Sequence, residues 1–219
     1  MKTPIPSIPL REVLHFLGWR GSPIEESVLL QIHGAMDIVR SELDAYVVTK
    51  HFTLDTDLLL SDSIFLPKGN DIRHLLKDSH EAVLMAATLG ARSERLLLRY
   101  QARSSADAVI MDAALSAAIE AVCDEQEQLL RDEYGKSELY LTDRFSPGYG
   151  DMPIEQTKEI CAVLQTEKTI GLTVSHSGIM IPRKSVTAMI GVSRFAQERR
   201  PSACAICSMR ETCALRISK

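Results

Sequence analysis

Residues 106–134 read ADAVIMDAALSAAIEAVCDEQEQLLRDEY, a run of 29 residues without glycine or proline. The run is rich in Ala, Leu and Glu, which are strong helix formers, so it predicts the longest helix of the chain. Its first half is apolar or small on nearly every side, whereas its second half is heavily charged. We therefore expect one end of this helix to be buried and the other end to protrude from the protein.

Shorter helices and strands are predicted on both sides of this helix. Amphipathic or charged patterns predict further helices at 11–19, 24–43, 71–77, 93–101 and 154–164. Runs of β-branched and apolar residues predict strands within 45–66 and at 82–89, 139–142, 172–181 and 186–192. This order indicates an α+β fold in which helices cover a twisted, mainly antiparallel sheet.

Composition and charge exclude several classes of partner. The chain has 25 Lys and Arg residues against 29 Asp and Glu residues, without the basic excess that nucleic-acid binding usually needs. The first nine residues do not resemble a signal peptide, and the most apolar stretch, residues 82–91, has about half the length needed to cross a bilayer. We therefore expect a cytoplasmic protein that binds neither nucleic acid nor membranes.

The most informative segment follows the long helix, where residues 144–149 read RFSPGY. This segment resembles the Arg-x-x-x-Gly-Tyr signature of the activation domain of cobalamin-dependent methionine synthase. Further on, residues 180–186 read MIPRKSV, which is similar to the family's Met-x-Pro-x-x-Ser-Val segment. The N-terminal helix that ends at Trp19 is also similar to the family's opening helix. The resemblance spans most of the chain, and its most specific part is residues 138–186.

The resemblance implies an S-adenosylmethionine site on the loop from Arg144 to Tyr149. Arg144 is expected to bind the ligand carboxylate through a two-pronged, charge-assisted contact. Pro147 and Gly148 let the backbone turn sharply and approach the ligand, where backbone amides can bond the adenine edge. Tyr149 can stack on the adenine or face the sulfonium. Glu138, six residues before Arg144, shares a strand face with it by period-two spacing and is a candidate partner of the ammonium group.

The resemblance also implies a role in the reductive methylation of cob(II)alamin, which reactivates a corrinoid enzyme. The chain contains no Asp-x-His-x-x-Gly corrinoid-binding motif, so we expect the cobalamin on a separate partner. This partner would be a corrinoid-dependent methionine synthase or another corrinoid protein, with a flavodoxin or ferredoxin-type protein as reductant. Whether the chain is an enzyme, as a methyltransferase component, or an accessory protein stays open.

Two departures from the family pattern concern the ligand site. The family's first helix ends in an Asp that helps to bind the amino-acid part of the ligand, and the matching position here is Gly18, next to Trp19. The family's Thr-Glu-Ser reads Thr173-Val174-Ser175, and about two extra residues precede Met180. These departures favour an alternative in which the chain is an interaction module that has kept the fold and lost the ligand.

We expect residues 1–198 to form one domain, followed by a cysteine-containing tail over residues 199–219. The tail contains the pattern C-x2-C-x5-C, formed by Cys204, Cys207 and Cys213. The short first gap lets two thiolates reach one metal ion, so zinc or an iron–sulfur cluster is a candidate cofactor. A further ligand is then needed, and the candidates are Cys161, His176 and a group of a partner chain. The alternative functions are a metal or iron–sulfur redox accessory that docks on a corrinoid protein, and ordinary thiols without a metal.

Overall fold

The computed structural model describes residues 1–19, 21, 23–55, 57–61 and 65–196. The predicted α+β fold is confirmed. Its elements, in chain order, are β1 (Lys2–Pro4), α1 (Leu10–Phe16), α2 (Glu26–Glu42), β2 (Asp44–Thr53), α3 (Asn70–Leu76), β3 (Ser79–Thr88), α4 (Gly90–Gln101), α5 (Ser105–Gly135), β4 (Tyr140–Leu141), α6 (Gln156–Leu164), α7 (Thr166–Ile170), β5 (Thr173–Val174), β6 (Met180–Ile181) and β7 (Ser185–Ser193).

The main sheet has the strand order β1-β2-β3-β7-β4 in the described part of the chain. All of its neighbouring strands are antiparallel, as the sequence predicts. At the centre of the sheet, Met85 on β3 pairs with Thr49 on β2 and with Ala188 on β7. The strands β5 and β6 form a separate antiparallel hairpin.

Helices cover both faces of the main sheet. The helices α1, α2, α4 and α5 pack on one face, where Met85 lies in their core. The helices α3, α6 and α7 pack on the other face, in a core that contains Leu84. Because successive side chains of a strand point to opposite faces, these two neighbours enter different cores. The continuous apolar run at 82–89 thus reflects a strand that is buried on both sides.

The long helix α5 is capped at its N-terminus by Ser104, whose hydroxyl oxygen accepts a hydrogen bond from the backbone amide of Asp107 at 3.2 Å. Such a cap satisfies one of the amides that lack a partner within the helix. The buried residues of α5 lie between Ala108 and Cys123, with Leu130 as an addition in the second half. The expected difference between a buried and a largely exposed half is therefore confirmed.

The predicted strand at 172–181 is wrong, because this segment folds into the β5–β6 hairpin. The amide of Ser175 donates to the carbonyl of Ile179 at 2.9 Å, and Gly178 takes a φ of 81° in the turn. Glycine adopts this conformation without steric cost. The strand β1 and the helix α7 were not predicted, and β4 is shorter than the predicted strand at 139–142.

None of the helices in the described ranges is both long and apolar enough to cross a membrane.

Candidate ligand site on the α5 face

The segment after β4 is fixed to the edge of the main sheet by Phe145. Its amide donates to the carbonyl of Met189 on β7 at 2.9 Å, and the amide of Met189 donates back at 2.8 Å. The buried ring of Phe145 enters the core on the α6 side. The preceding residue, Arg144, points to the opposite side and reaches α5.

Arg144 lies among three carboxylates of α5, which we call the acidic cluster: Glu120, Asp124 and Glu127. Its Nη2 atom lies 2.6 Å from Oδ1 of Asp124 and 3.5 Å from Oε2 of Glu120, and its Nε atom lies 3.0 Å from Oε2 of Glu127. The side chain of Arg144 is 17% exposed. Its Nη1 atom is buried and makes no hydrogen bond to a nitrogen or oxygen of the described residues.

A second guanidinium ties the acidic cluster to the residues that lead to Arg144. The Nη2 atom of Arg131 lies 2.6 Å from Oε1 of Glu127. Arg131 also donates to the backbone carbonyls of Leu141 and Thr142, at 2.8 and 3.0 Å. Because charge-assisted hydrogen bonds are the strong ones, this network holds Arg144 in place relative to α5.

The acidic cluster has more negative charge than Arg144 alone can neutralise. Burial is the main cause that raises the pKa of Glu120, and the nearby Asp124 and Glu12 of α1 add to it, while Arg144 opposes it. Burial lowers the pKa of Arg144, but Cys123 and the three carboxylates outweigh burial and keep the guanidinium charged. An arrangement of one guanidinium and several carboxylates can bind a molecule that carries both a carboxylate and an ammonium group.

The 144–152 loop forms the tight turn that the sequence predicts. Gly148 donates to the carbonyl of Met152 at 2.9 Å, and Tyr149 donates to the carbonyl of Ser146 at 3.1 Å. These two amides are therefore used within the turn, and the contact between backbone amides and an adenine edge stays a prediction. Pro147 is buried, whereas the side chain of Tyr149 is 61% exposed and can offer its ring to a ligand.

Asp151 fixes the 144–152 loop to the start of α3. Its carboxylate accepts hydrogen bonds from the amides of Asn70 and Asp71, at 2.6 and 3.0 Å. The loop and the start of α3 approach each other so closely here that a Cβ atom on Gly150, whose φ is 53°, would overlap the carboxylate of Asp71. These contacts with the start of α3 fix the loop that carries Tyr149.

Glu138 does not share a strand face with Arg144, so that sequence argument is wrong. Glu138 lies in the turn after α5, with a φ of 56°, and its amide donates to the carbonyl of Gly135 at 3.1 Å. The strand β4 begins only at Tyr140. The ion pairs that Arg144 makes in the described residues are those with the acidic cluster, and Glu138 is exposed.

Part of the outer edge of β7 next to this site pairs with no strand of the described residues. On the outer side of β7, β4 pairs with Ser193 and Val192, and Phe145 bridges to Met189. From Ala188 back to Ser185, no strand in the described part of the chain pairs with this edge. This stretch is nevertheless largely buried, since Ser185 is 7% exposed, Thr187 2% and Ala188 0%.

The metal-site predictions fall partly outside the structure. The tail cysteines Cys204, Cys207 and Cys213 lie outside the described residues. Cys161 lies on α6 and is buried in the core, and burial raises the pKa of its thiol. His176 is exposed in the turn of the β5–β6 hairpin. Within the ranges that are described, no group of three or more His, Cys, Asp and Glu side chains is arranged to hold a metal ion.

The acidic cluster was missed in the sequence, although a signal for it exists. Glu120, Asp124 and Glu127 are spaced by four and three residues, so they lie on one side of the predicted helix. They also begin where the apolar half of that helix ends. A charged stripe on a helix is usually solvated, and only the fold shows that Arg144 lies opposite it.

These features define an α+β domain with a candidate binding site for a charged small molecule at its sheet edge. The family model described as "Vitamin B12 dependent methionine synthase, activation domain" matches residues 76–198, and the chain belongs to this family.

Among solved structures, the chain is similar to one described as "Crystal Structure of the MetH Reactivation Domain bound to AdoHcy". The TM-score is 0.64 and the sequence identity is 15%, over 90% of this chain and 79% of that chain. At this identity the similarity shows the fold alone. No curated protein matches the chain.

Proposed function

We propose that this protein binds S-adenosylmethionine between the acidic cluster and the 144–152 loop, and so supports reductive methylation of cob(II)alamin on a separate corrinoid-dependent methionine synthase. The proposal rests on the position of Arg144. In the sequence this residue belongs to the segment that resembles the family's signature, and in the structure it lies among three carboxylates of α5.

The chemistry of these residues fits the amino-acid end of S-adenosylmethionine. The ligand carboxylate would pair with Arg144 by displacing Asp124, which is largely exposed and therefore weakly held. The ligand ammonium would meet Glu120, whose pKa is raised mainly by burial and further by the negative charges of Asp124 and Glu12, so that an added positive charge would be favourable there. Glu12 on α1 lies near Glu120 and adds negative charge there. It belongs to the same helix that Gly18 follows, where the family has an Asp.

The adenosyl end would lie next to the exposed ring of Tyr149. Aromatic rings bind adenine by stacking and attract cationic groups through their faces. The structurally similar MetH reactivation domain is described as bound to AdoHcy, the molecule that remains when S-adenosylmethionine has given up its methyl group. This supports the same class of ligand for the present chain.

The role of this chain in the reaction is to position the methyl donor. S-adenosylmethionine supplies the methyl group, an external flavodoxin or ferredoxin-type reductant supplies one electron, and the products are methylcobalamin and S-adenosylhomocysteine. Because the reactivity belongs to the cobalt and the sulfonium, the protein contributes orientation and exclusion of competing geometries. We therefore propose it as the methyltransferase component of a two-protein system.

Isothermal titration calorimetry with S-adenosylmethionine tests the ligand. The wild type is expected to bind, and Arg144→Ala is expected to bind at least about tenfold more weakly, since a charge-assisted contact is lost. Arg99→Ala is the matched control, because it removes another arginine–glutamate pair, 2.8 Å from Glu42, far from the 144–152 loop. Absence of binding by the wild type would leave the interaction-module alternative, and equal binding by Arg144→Ala would refute the site.

A reactivation assay tests the role. A corrinoid-dependent methionine synthase holding cob(II)alamin is mixed with S-adenosylmethionine and a chemical reductant, and formation of methylcobalamin is followed by absorbance. Adding the wild-type chain is expected to accelerate the conversion, and Arg144→Ala is expected not to. Equal rates with and without the chain would refute the reactivation role while leaving the ligand site intact.

A second candidate function rests on the C-x2-C-x5-C pattern of the tail segment 199–219. We propose that Cys204, Cys207 and Cys213 hold zinc or an iron–sulfur cluster, as in a redox accessory that docks on a corrinoid protein. Elemental analysis and the visible spectrum of the full chain, purified without oxygen, test this. One metal equivalent that is lost in Cys204→Ser supports the site, and a metal-free wild type refutes it.

A further inference from the structure

The three carboxylates of the acidic cluster differ in how tightly the protein holds them. The side chain of Glu127 is 17% exposed and also pairs with Arg131 at 2.6 Å. Glu120 is 40% exposed and lies 3.5 Å from Nη2 of Arg144. Asp124 is 70% exposed, yet it makes the shortest of the three contacts, at 2.6 Å from the same nitrogen. The carboxylate closest to Nη2 is therefore also the one that solvent reaches most easily.

The nitrogens of Arg144 leave one position at which a carboxylate from solution can bind. The Nη1 atom is buried, so a ligand does not reach it. The Nε atom faces Glu127 at 3.0 Å, and this carboxylate is itself held by Arg131. The Nη2 atom is left, and the carboxylate of Asp124 already lies there. A ligand carboxylate that binds Arg144 therefore has to take the position of Asp124.

We infer that Asp124 is an internal competitor of the ligand carboxylate and regulates the affinity of the site. Before a ligand binds, Asp124 pairs with the guanidinium of Arg144. When the ligand carboxylate takes this place, the side chain of Asp124 moves into the solvent to which it is already largely exposed. The inference rests on the proposed function, because it assigns the regulation of the same site.

The same competition favours release of the product. S-adenosylhomocysteine keeps the carboxylate of S-adenosylmethionine but has lost the positive charge of the sulfonium. The acidic cluster therefore attracts the product less than the methyl donor, while Asp124 competes with both for Arg144. Return of Asp124 to the guanidinium thus helps the spent ligand to leave.

Competition by Asp124 and the general negative charge of the cluster predict opposite effects when this carboxylate is removed. S-adenosylmethionine carries a net positive charge, so the loss of a nearby negative charge alone would weaken its binding. The loss of a competitor at Arg144 strengthens binding instead. Because an ion pair with an exposed partner is weak, the expected gain is about fivefold at most. The sign of the change therefore separates the two effects.

Calorimetry with two ligands that differ in the carboxylate tests the inference: S-adenosylmethionine and its decarboxylated form. Asp124→Asn is expected to bind S-adenosylmethionine several-fold more tightly than the wild type, and the decarboxylated form no more tightly. Asp132→Asn is the matched control, because it removes the same charge from an exposed position of the same helix, where Asp132 accepts a hydrogen bond from Gln128 at 2.8 Å. This control should tighten neither ligand.

Asp124→Ala is a second variant with the same expectation, since it removes the carboxylate without adding an amide. The inference is overturned if both Asp124 variants bind S-adenosylmethionine as the wild type does or more weakly, or if they tighten both ligands alike. The proposed function survives that outcome as long as the wild type binds. Binding by the variants but not by the wild type would support the inference. If neither the wild type nor the variants bind S-adenosylmethionine, the proposed function fails and the inference fails with it.

Discussion

The Nε atom of Arg144 lies 3.0 Å from Oε2 of Glu127, while the other oxygen of the same carboxylate lies 2.6 Å from Nη2 of Arg131. Glu127 thus joins two guanidinium groups that come from different parts of the chain. Since Arg131 also binds the carbonyls of Leu141 and Thr142, this carboxylate connects α5 with the strand that leads into the 144–152 loop.

Replacing Glu127 by Ala is expected to lower the free energy of unfolding by about 2 kcal/mol, because hydrogen bonds to charged groups are lost in a half-buried position. Urea denaturation followed by circular dichroism measures the effect. Glu125→Ala, at an exposed position of the same helix, is the control and should change the free energy by less than about 0.5 kcal/mol. Equal effects of the two substitutions would contradict the bridging role of Glu127.

Gly150→Ala is expected to destabilise the protein by about 2 kcal/mol and to weaken ligand binding. The φ of Gly150 is 53°, and an added Cβ atom would overlap the carboxylate of Asp71. Gly34→Ala on α2 provides the comparison, because an added Cβ there meets no described heavy atom within 4 Å. In a helix that change should stabilise the protein by up to about 1 kcal/mol. A stable Gly150→Ala variant with normal affinity would contradict the close contact.

The pairing of Asp151 with α3 is expected to make stability depend on pH. Hydrogen bonds from the amides of Asn70 and Asp71 lower the pKa of Asp151 below its ordinary value of 3.8. The ionised Asp151 therefore stabilises the folded protein fully at pH values above 3.8. This contribution is lost as the pH falls through the lower pKa that Asp151 has in the folded state. The melting temperature of wild type should exceed that of Asp151→Asn at pH 6, and the difference should shrink towards pH 3. A difference that does not change with pH would contradict this account.

The two cysteines of the described core are expected to resist thiol reagents. Cys123 is fully buried, and burial raises the pKa of its thiol to about 12 despite the opposing charge of Arg144. Burial likewise raises the pKa of Cys161. A variant in which Cys204, Cys207 and Cys213 are replaced by Ser should react with Ellman's reagent only after unfolding in urea, and should then release two equivalents. Rapid reaction of the folded variant would contradict the burial of these two thiols.

Local patterns predicted the elements that depend on local physics. The helix α5 was predicted because helix formers continue without interruption, and β3 because a short apolar run between breakers is typical of a buried strand. By contrast, β1 contains Pro4 and follows no alternating pattern, and it forms because β2 offers it a partner edge. The turn in the β5–β6 hairpin was missed because apolar residues lie on both sides of it.

The candidate site was only partly predictable because its contacts are non-local. The signature around Arg144 is visible in the sequence, but its pairing with Asp124 joins residues that are 20 positions apart. The choice of Glu138 assumed that one strand continues from 138 to 144, whereas the turn after α5 and the short β4 break that periodicity. A period-two argument holds only within a continuous strand.

A crystal structure of the chain grown with S-adenosylmethionine tests the central claim most directly. The account predicts the ligand carboxylate within hydrogen-bonding distance of Arg144, the ammonium group beside Glu120, and the adenosyl group near Tyr149. Density for the ligand elsewhere, or a guanidinium that keeps all three carboxylate partners in crystals grown with saturating ligand, would contradict it.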